Sequence, residues 1–375
     1  MLISDAALHD HGAGAYCAYG SRITPEIVYL SGFRTSDPVI YIRREEEPGF
    51  IIVSQMEYER AMREASCQVM TRNEAGLIRI IEEGCDHWES LAKMITGLTN
   101  GPVLIPELFP YALGHALLER VPVIVDREIV SGLRAVKSET ELNSITLAQR
   151  AAEEAVDTAI NLIKNSKPHN GGLYLNDAPL TSGMVKSAMH KVLLDRGCNA
   201  CDTIVVSGPD SALPHMMGNG PLLSDSPIVI DIFPQDDATG YYADMTRTVV
   251  HGEPAPEITE MWHAVKDAAS KAMNLAKAGV TGSEVHSVVV DSFREVGYPS
   301  GKEGFTHNTG HGIGLEVHEP PTVGPSGGVL SSGNVITIEP GLYFNSVGGV
   351  RLENMGLITA DGFINITRYP EELIL

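Results

Sequence analysis

Hydrophobic and polar positions in the longer, C-terminal part of the chain alternate between a helical and a strand-like period. Ser138 and Glu141 have capping-box spacing, and apolar residues then recur at three- and four-residue steps, which predicts a helix. A second helix is predicted at 183–196, followed by strands at 203–206, 228–233 and 241–250. The order then recurs, with helices predicted at 257–278 and 283–296, each followed by glycine and by further strands. Two helix-helix-sheet halves indicate a pseudo-duplicated α/β domain.

The N-terminal part of the chain shows shorter elements. Strand-like runs lie at 27–30, 39–42 and 51–53, and helical stretches at 58–65 and 75–83. Strands that alternate with helices indicate a small α/β domain. We therefore divide the chain into two domains, residues 1–134 and residues 135–375.

Five side chains with metal-binding chemistry lie in or beside strand-like runs of the C-terminal part. They are Asp231, Asp244, His311, Glu339 and Glu353. A carboxylate in a strand that otherwise belongs to the core is costly unless it is paired or bound to a cation. Two divalent cations would balance the four carboxylates, and carboxylates with one imidazole suit Mn, Fe, Co or Zn. The alternative is that these residues are unrelated acids on exposed strand edges.

Three motifs around these residues occur in a fixed order. They are Gly310-His311-Gly312-Ile313-Gly314, Ile338-Glu339-Pro340-Gly341 and Val350-Arg351-Leu352-Glu353. In them the sequence resembles the pita-bread metallopeptidases, which include aminopeptidase P, prolidase, methionine aminopeptidase and the metal-free relative creatinase. The resemblance implies an α/β (α+β) chain whose C-terminal pita-bread fold has two pseudo-symmetric helix-helix-sheet halves. Tyr29-Leu30-Ser31-Gly32-Phe33 and Gln55-Met56-Glu57 resemble the smaller N-terminal domain of the creatinase and prolidase group.

The resemblance also implies a role for each of the five residues. Asp231 would bind one metal ion, His311 and Glu339 would bind a second, and Asp244 and Glu353 would bridge both. Glu339 would in addition carry a proton to the leaving nitrogen. Both aspartates belong to the first half and the other three residues to the second, so we expect the site where the halves meet.

Three further histidines match the same resemblance. His215, in a Pro-His motif before the first aspartate strand, would contact the substrate. His307 and His318 flank His311 at four and seven residues and would hold the scissile carbonyl and the residue after it. His318 would donate a hydrogen bond to the developing oxyanion. The alternative is that they are ordinary hydrogen-bonded histidines of the surface or core.

The sequence departs from the family pattern at two places. The family places about ten residues between its two aspartates. Here twelve residues separate Asp231 from Asp244, and the stretch 235–240 is predicted to be a hairpin loop that absorbs the extra two. An insertion of even length preserves the alternation of strand faces. Asn354 stands where many relatives carry aspartate, and we expect it to alter a hydrogen bond behind the ligands rather than remove the metal.

The implied reaction is hydrolysis of the Xaa-Pro bond at the N-terminus of a dipeptide or short peptide by a metal-activated water. The N-terminal domain disfavours methionine aminopeptidase, and the complete ligand set disfavours creatinase. A small-molecule hydrolase or lyase of the same fold, or a non-catalytic binding protein, is the alternative. Pro320-Pro321-Thr322 offers no arginine for the carboxylate of a dipeptide, which favours longer substrates but leaves dipeptidase and aminopeptidase both open.

Composition and family together define the expected partners. A net charge of −21 argues against nucleic acid and anionic membranes, and no apolar run approaches the roughly 18 residues of a membrane span. Five cysteines, an odd number, do not suggest a disulfide framework, and Cys198 and Cys201 form a single Cys-x-x-Cys, which is a weak zinc or redox signal. We expect a cytoplasmic homodimer with two divalent ions per chain, manganese first and cobalt, zinc or iron as alternatives.

Overall fold

The computed structural model describes residues 3–200 and 202–375. These residues form two compact units, one ending at Arg134 and the other beginning at Ala135. Within the described ranges, no helix is long and apolar enough to cross a membrane. Cys198 is buried, whereas Cys201, the other cysteine of the Cys-x-x-Cys motif, lies outside the described residues.

The N-terminal unit is built on a mixed sheet of six strands in the order β4-β3-β2-β1-β5-β6. The strands are β1 (Ala15–Gly20), β2 (Val39–Arg44), β3 (Phe50–Val53), β4 (Gln68–Thr71), β5 (Val103–Pro106) and β6 (Val123–Asp126). The central strand β1 is antiparallel to β2 and parallel to β5. Its successive residues Tyr16 and Cys17 belong to two different apolar clusters, so both faces of the sheet are packed.

Seven helices of this part of the chain are described. They are α1 (Asp5–Asp10), α2 (Pro25–Ser31), α3 (Tyr58–Glu64), α4 (Leu77–Glu82), α5 (His87–Leu98), α6 (Tyr111–Leu118) and α7 (Ile129–Ala135). The prediction of a strand at 27–30 is wrong, because these residues lie inside α2. Pro25 occupies the first turn of α2, and Gly32 ends it in the left-handed conformation with φ 65°. These two end signals outweigh the β-branched run between them.

The first half of the C-terminal unit contains two helices that pack together and a three-stranded sheet in the order β11-β12-β14. Its elements are α8 (Glu139–Lys164), β7 (Lys167–His169), β8 (Gly172–Leu175), β9 (Ala178–Pro179), α9 (Ser182–Asp195), β10 (Cys198–Asn199), β11 (Ile204–Ser207), β12 (Ile228–Ile232), β13 (Gln235–Asp236) and β14 (Met245–Val249). The predicted capping box is present, because Ser138 accepts from the Glu141 amide and Glu141 accepts from the Ser138 amide.

The second half repeats this order with a five-stranded sheet, β16-β15-β17-β20-β21, and a two-stranded sheet, β18-β19. Its elements are α10 (Pro256–Leu275), α11 (Gly282–Glu295), β15 (Gly310–Gly312), β16 (Glu319–Val323), β17 (Val335–Ile338), β18 (Gly341–Phe344), β19 (Gly348–Arg351), β20 (Asn354–Ile358) and β21 (Phe363–Asn365). Helix α10 ends before the predicted residue 278. The amide of Ala278 instead donates to the Thr359 carbonyl and that of Gly279 to the Leu330 carbonyl.

Each half has its own apolar core between its helices and its strands. Val156 of α8 and Val185 of α9 pack with Ile230 of β12 in the first half. Val265 of α10 and Val289 of α11 pack in a separate cluster that includes residues of β17 and β19. Because the helices cover one face of each sheet, the polar residues of β12, β14 and β17 can occupy the opposite face.

The predicted hairpin between the two aspartates is present. Strands β12 and β14 are antiparallel, and Ile232 pairs with Met245. Between them, the Asp236 amide donates to the Tyr241 carbonyl and Gly240 adopts a φ of 84°, which closes the turn. Residues 241–244 belong to this connection, so β14 begins later than the predicted residue 241.

Candidate metal centre

The strands of both halves bring the five candidate ligands to one site. Asp231 lies in β12, Asp244 directly precedes β14, and His311 lies in β15. Glu339 directly follows β17, and Glu353 lies between β19 and β20. Ligand atoms of Asp244, His311 and Glu353 lie within 4.8 Å of one another. Oε1 of Glu339 is 3.3 Å from Nε2 of His311, which places this carboxylate beside the same three groups.

The His311 imidazole is fixed by its own strand. Its Nδ1 lies 3.0 Å from the Gly312 carbonyl oxygen and can donate only when it carries the proton, which leaves a lone pair on Nε2. A Cβ at Gly310 would collide with the Thr337 carbonyl, so glycine allows β15 to approach β17 closely. The Nε2 atom is therefore available as a metal ligand beside Asp244 and Glu339.

A network of hydrogen bonds holds the carboxylate of Asp231. Oδ2 accepts from Nη2 of Arg351 at 2.6 Å, and Oδ1 accepts from the Thr246 hydroxyl at 2.8 Å. The same hydroxyl lies 2.8 Å from Oε2 of Glu353, and Nη1 of Arg351 donates to the Tyr343 hydroxyl at 2.9 Å. No role was predicted for Thr246, Tyr343 or Arg351. Strand alternation already places Arg351 on the same face as Glu353, two residues before it, and this is the signal that could have indicated its role.

Electrostatics at the site show an excess of negative charge. Burial raises the pKa of Asp244 well above its usual range, and the charges of Glu353, Asp231 and Glu339 raise it further. Burial, with Glu339 and Asp231, raises the pKa of Glu353 to about 8. Burial also acts to raise the pKa of Glu339, but the hydrogen bond and charge of His311 lower it to about 2. Burial and mutual repulsion therefore favour the protonated forms of Asp244 and Glu353 when no cation is bound.

The residues fit divalent cations. Oδ1 of Asp244 is buried and has no hydrogen-bond partner, although a buried carboxylate oxygen normally has one. A cation bound there would satisfy this oxygen and would also remove the repulsion that raises the pKa of Glu353. Carboxylate oxygens with one imidazole nitrogen are the ligands that Mn, Fe, Co and Zn accept.

The three additional histidines line the same cavity, whose volume is about 920 Å³. His215 and His318 are exposed to it, and the His318 ring lies 4.3 Å from that of His311 in an edge-on arrangement. His307 is partly buried, with Nδ1 2.7 Å from the Asn308 carbonyl oxygen and Nε2 2.9 Å from the Tyr343 hydroxyl. Burial lowers the pKa of His307 and that of His318, so both rings are largely neutral at pH 7.

Asn354 lies behind the candidate ligands. Its Oδ1 accepts from Nη2 of Arg247 at 3.0 Å, and its Nδ2 donates to Oε1 of Glu371 at 2.7 Å. Arg247 in turn donates to the backbone carbonyl of Glu353 at 2.6 Å. An aspartate at position 354 could still accept from Arg247 but would repel Glu371. Asparagine is thus matched to the glutamate that this chain carries near its C-terminus.

Family models match almost the whole chain. Residues 5–136 match the creatinase/prolidase N-terminal domain, and residues 143–360 match metallopeptidase family M24. The second match covers more than half of the sequence and contains every candidate ligand. The chain therefore belongs to metallopeptidase family M24. The predicted resemblance to the pita-bread metallopeptidases, the predicted fold class and the prediction of a hydrolase are confirmed.

An Xaa-Pro dipeptidase, a solved prolidase and a solved X-Pro aminopeptidase are each similar to this chain over more than nine-tenths of their own length. An Xaa-Pro dipeptidase of Pyrococcus horikoshii is 32% identical over 93% of this chain and 92% of its own. The solved prolidase of Pyrococcus horikoshii OT3 has a TM-score of 0.84 and 29% identity, and the match covers 99% of this chain and 98% of that one. The X-Pro aminopeptidase of Thermotoga maritima has a TM-score of 0.80 and 28% identity, with 98% and 99% covered.

Proposed function

We propose that this protein is a metal-dependent peptidase that hydrolyses the Xaa-Pro bond at the N-terminus of dipeptides or short peptides. The single observation that carries the proposal is the cluster of Asp244, His311 and Glu353, with its unpartnered buried oxygen, in the wall of a cavity that histidines also line. Both the Xaa-Pro dipeptidase and the X-Pro aminopeptidase among the relatives support the substrate class. A small-molecule hydrolase of the same fold is the alternative.

We assign five residues as ligands of two divalent cations, with manganese as the expected metal. Asp231 would hold one ion, His311 and Glu339 the other, and Asp244 and Glu353 both. The short distances among Asp244, His311, Glu339 and Glu353 support this assignment. Arg351 and Thr246 would orient the Asp231 carboxylate, since each donates to one of its oxygens.

The chain's own residues contribute binding and proton transfer. When bound, the cations supply a water that ionises near neutral pH and positive charge that polarises a carbonyl. A carboxylate oxygen of Glu339 would accept the proton of that water and deliver it to the nitrogen of proline, because the bond breaks only if the nitrogen leaves protonated. The neutral imidazole of His318 would donate to the oxygen of the scissile carbonyl as negative charge develops there.

His307 and His215 would position the substrate. The Nδ1 atom of His307 points to the Asn308 carbonyl and its Nε2 to the Tyr343 hydroxyl, so the ring has a fixed orientation at the cavity wall. His215 is exposed in the same cavity and has room to contact a bound peptide. The nitrogen of a proline at the second position carries no hydrogen, so the cavity wall at His307 need not accept a hydrogen bond from it.

We further propose that residues 1–134 and 135–375 are separate domains of a cytoplasmic homodimer. The division of the contacts at Arg134 supports the boundary. The cysteines Cys17, Cys67, Cys85 and Cys198 are unpaired, which is usual for a reducing compartment. Light scattering of the active protein tests the dimer, and a fully active monomer would contradict it.

A rate comparison tests the substrate proposal. Protein reconstituted with manganese should hydrolyse Ala-Pro or Ala-Pro-Ala much faster than Ala-Ala or Ala-Ala-Ala, and a chelator should abolish the reaction. Faster hydrolysis of Ala-Pro assigns a dipeptidase, whereas faster hydrolysis of Ala-Pro-Ala assigns an aminopeptidase. Equal rates with and without proline would contradict the proposal.

A further inference from the structure

A fully buried ion pair lies beside the cavity but contains none of the candidate ligands. The ammonium of Lys137 lies 2.7 Å from Oε1 of Glu319, and the two side chains are 0% and 1% exposed. Glu319 also borders the cavity and directly follows His318 in sequence. The pair joins residues 182 positions apart, so it fixes a long-range relationship in the unit.

The lysine end of this pair is attached to the strand that precedes Glu339. The Lys137 amide donates to the Gly333 carbonyl at 2.8 Å, and Val136 forms an antiparallel bridge with Asn334. The Asn334 side chain donates to the Ala135 carbonyl at 2.8 Å. Strand β17 begins at the next residue and leads directly to Glu339, so the segment 135–137 is hydrogen-bonded to the residues at the base of β17.

The glutamate end is attached to the loop that carries His318. Glu319 pairs with Gly312 at the start of β16, and residues 313–318 form the loop between the two strands. A Cβ at Gly314 would collide with the Glu319 carboxylate, so the loop folds tightly over this side chain. The Glu319 carboxylate therefore lies directly against the loop that ends at His318.

A buried ion pair of this kind contributes little net stability, because desolvation of both charges offsets their attraction. Its specific effect is on geometry, since a 1 Å misplacement of a catalytic group can cost about a hundredfold in rate. We propose that Lys137 and Glu319 are positioning residues that hold His318 in register with Glu339 across the cavity. The inference rests on the proposed function, which assigns His318 as the donor to the scissile carbonyl.

The test replaces both charges with apolar groups of similar size, in the variant Lys137→Met with Glu319→Leu. Metal content and melting temperature should remain near those of wild type, while kcat on an Xaa-Pro peptide falls about ten- to a hundredfold. The control is Lys271→Met with Asp267→Leu, which removes an exposed lysine–aspartate pair of 2.8 Å on α10. The control should leave kcat unchanged.

A double-mutant cycle separates positioning from a general structural effect. In a His318→Ala background, the apolar pair should lower kcat by less than twofold, because the group that it positions is already absent. If the losses instead multiply, the pair acts independently of His318 and the inference is wrong. Lys137→Arg, which keeps the charge, should recover most of the kcat that Lys137→Met loses.

Hydrogen exchange provides a readout that does not depend on activity. The amides of residues 313–319 should exchange faster in the apolar variant, whereas those of β17 and β20 should not change. Unchanged exchange in this loop would overturn the inference, whatever the activity of the wild-type protein. The apolar variant could instead show faster exchange while the wild-type protein is inactive on every Xaa-Pro peptide. That result would support the structural role of the ion pair and would refute the proposed function.

Discussion

Thr246 offers a sharp test of how the centre is held together. Its hydroxyl lies 2.8 Å from Oδ1 of Asp231 and 2.8 Å from Oε2 of Glu353, and it accepts from Nε of Arg351 at 3.1 Å. Thr246→Val keeps the shape of the side chain and removes these bonds. The hydroxyl has a single proton, so only one carboxylate receives a full hydrogen bond at a time.

The expected loss of metal affinity in Thr246→Val corresponds to one hydrogen bond. A hydrogen bond to a charged group contributes about 1.5–3 kcal/mol. At about 1.4 kcal/mol per tenfold, the loss corresponds to metal binding that is roughly ten- to a hundredfold weaker. Substitutions behind metal ligands typically cost about the same, ten- to a hundredfold. The assay is competitive titration of manganese against a chelating dye, with the melting temperature measured on the same preparation.

Thr248 provides the matched control, because it lies two residues further along β14 and is also fully buried. Its hydroxyl donates to the Arg351 carbonyl at 2.8 Å and accepts from the Arg351 amide at 2.9 Å, but it touches no candidate ligand carboxylate. Thr248→Val should therefore lower stability and leave metal affinity near that of wild type. Unchanged affinity in Thr246→Val, or an equal fall in both variants, would refute the reasoning.

Three further outcomes are expected. His318→Ala should keep the metals and lower kcat by roughly a hundred- to a thousandfold; intact kcat with a lower melting temperature would make His318 a structural residue. Asn354→Asp should lower the melting temperature, because it places a carboxylate against Oε1 of Glu371, and Glu371→Gln in the same chain should restore it. The metal-free protein should lose stability as pH rises from about 5 to 8. The pKa of Glu353 is raised from 4.5 to about 8 in the folded state, so in this range the folded chain holds a proton that the unfolded chain has lost. Saturating manganese should remove this loss, and thermal melts against pH with and without metal measure it.

Sequence predicted the parts of the molecule whose signals are local. The capping box at Ser138 and Glu141 and the hairpin between Asp231 and Asp244 follow from residues close together in the chain, and both are present. The prediction of a strand at 27–30 is wrong because it considered the apolar run alone and not Pro25 and Gly32, which mark the two ends of a helix. Local signals define an element well only when its ends are included.

The contacts that support the centre could not be predicted in the same way. Arg351 binds Asp231 across 120 positions, and Lys137 binds Glu319 across 182. Alternation along a strand indicates which face a residue occupies, but not which distant residue occupies the facing position. The ligand set was recognisable because its neighbours form motifs, whereas Thr246 is an ordinary strand threonine until the fold places two carboxylates beside it.

The most direct test of the account is the metal content of the purified chain measured together with its hydrolysis of an Xaa-Pro peptide. After reconstitution with manganese, the wild-type protein should hold about two ions per chain and cleave Ala-Pro or Ala-Pro-Ala. Asp244→Asn should lose most of the metal and the activity together, because it removes a carboxylate proposed to bridge both ions. A wild-type protein that binds no manganese, cobalt or zinc tightly, or that cleaves the peptide equally well in excess chelator, would contradict the account.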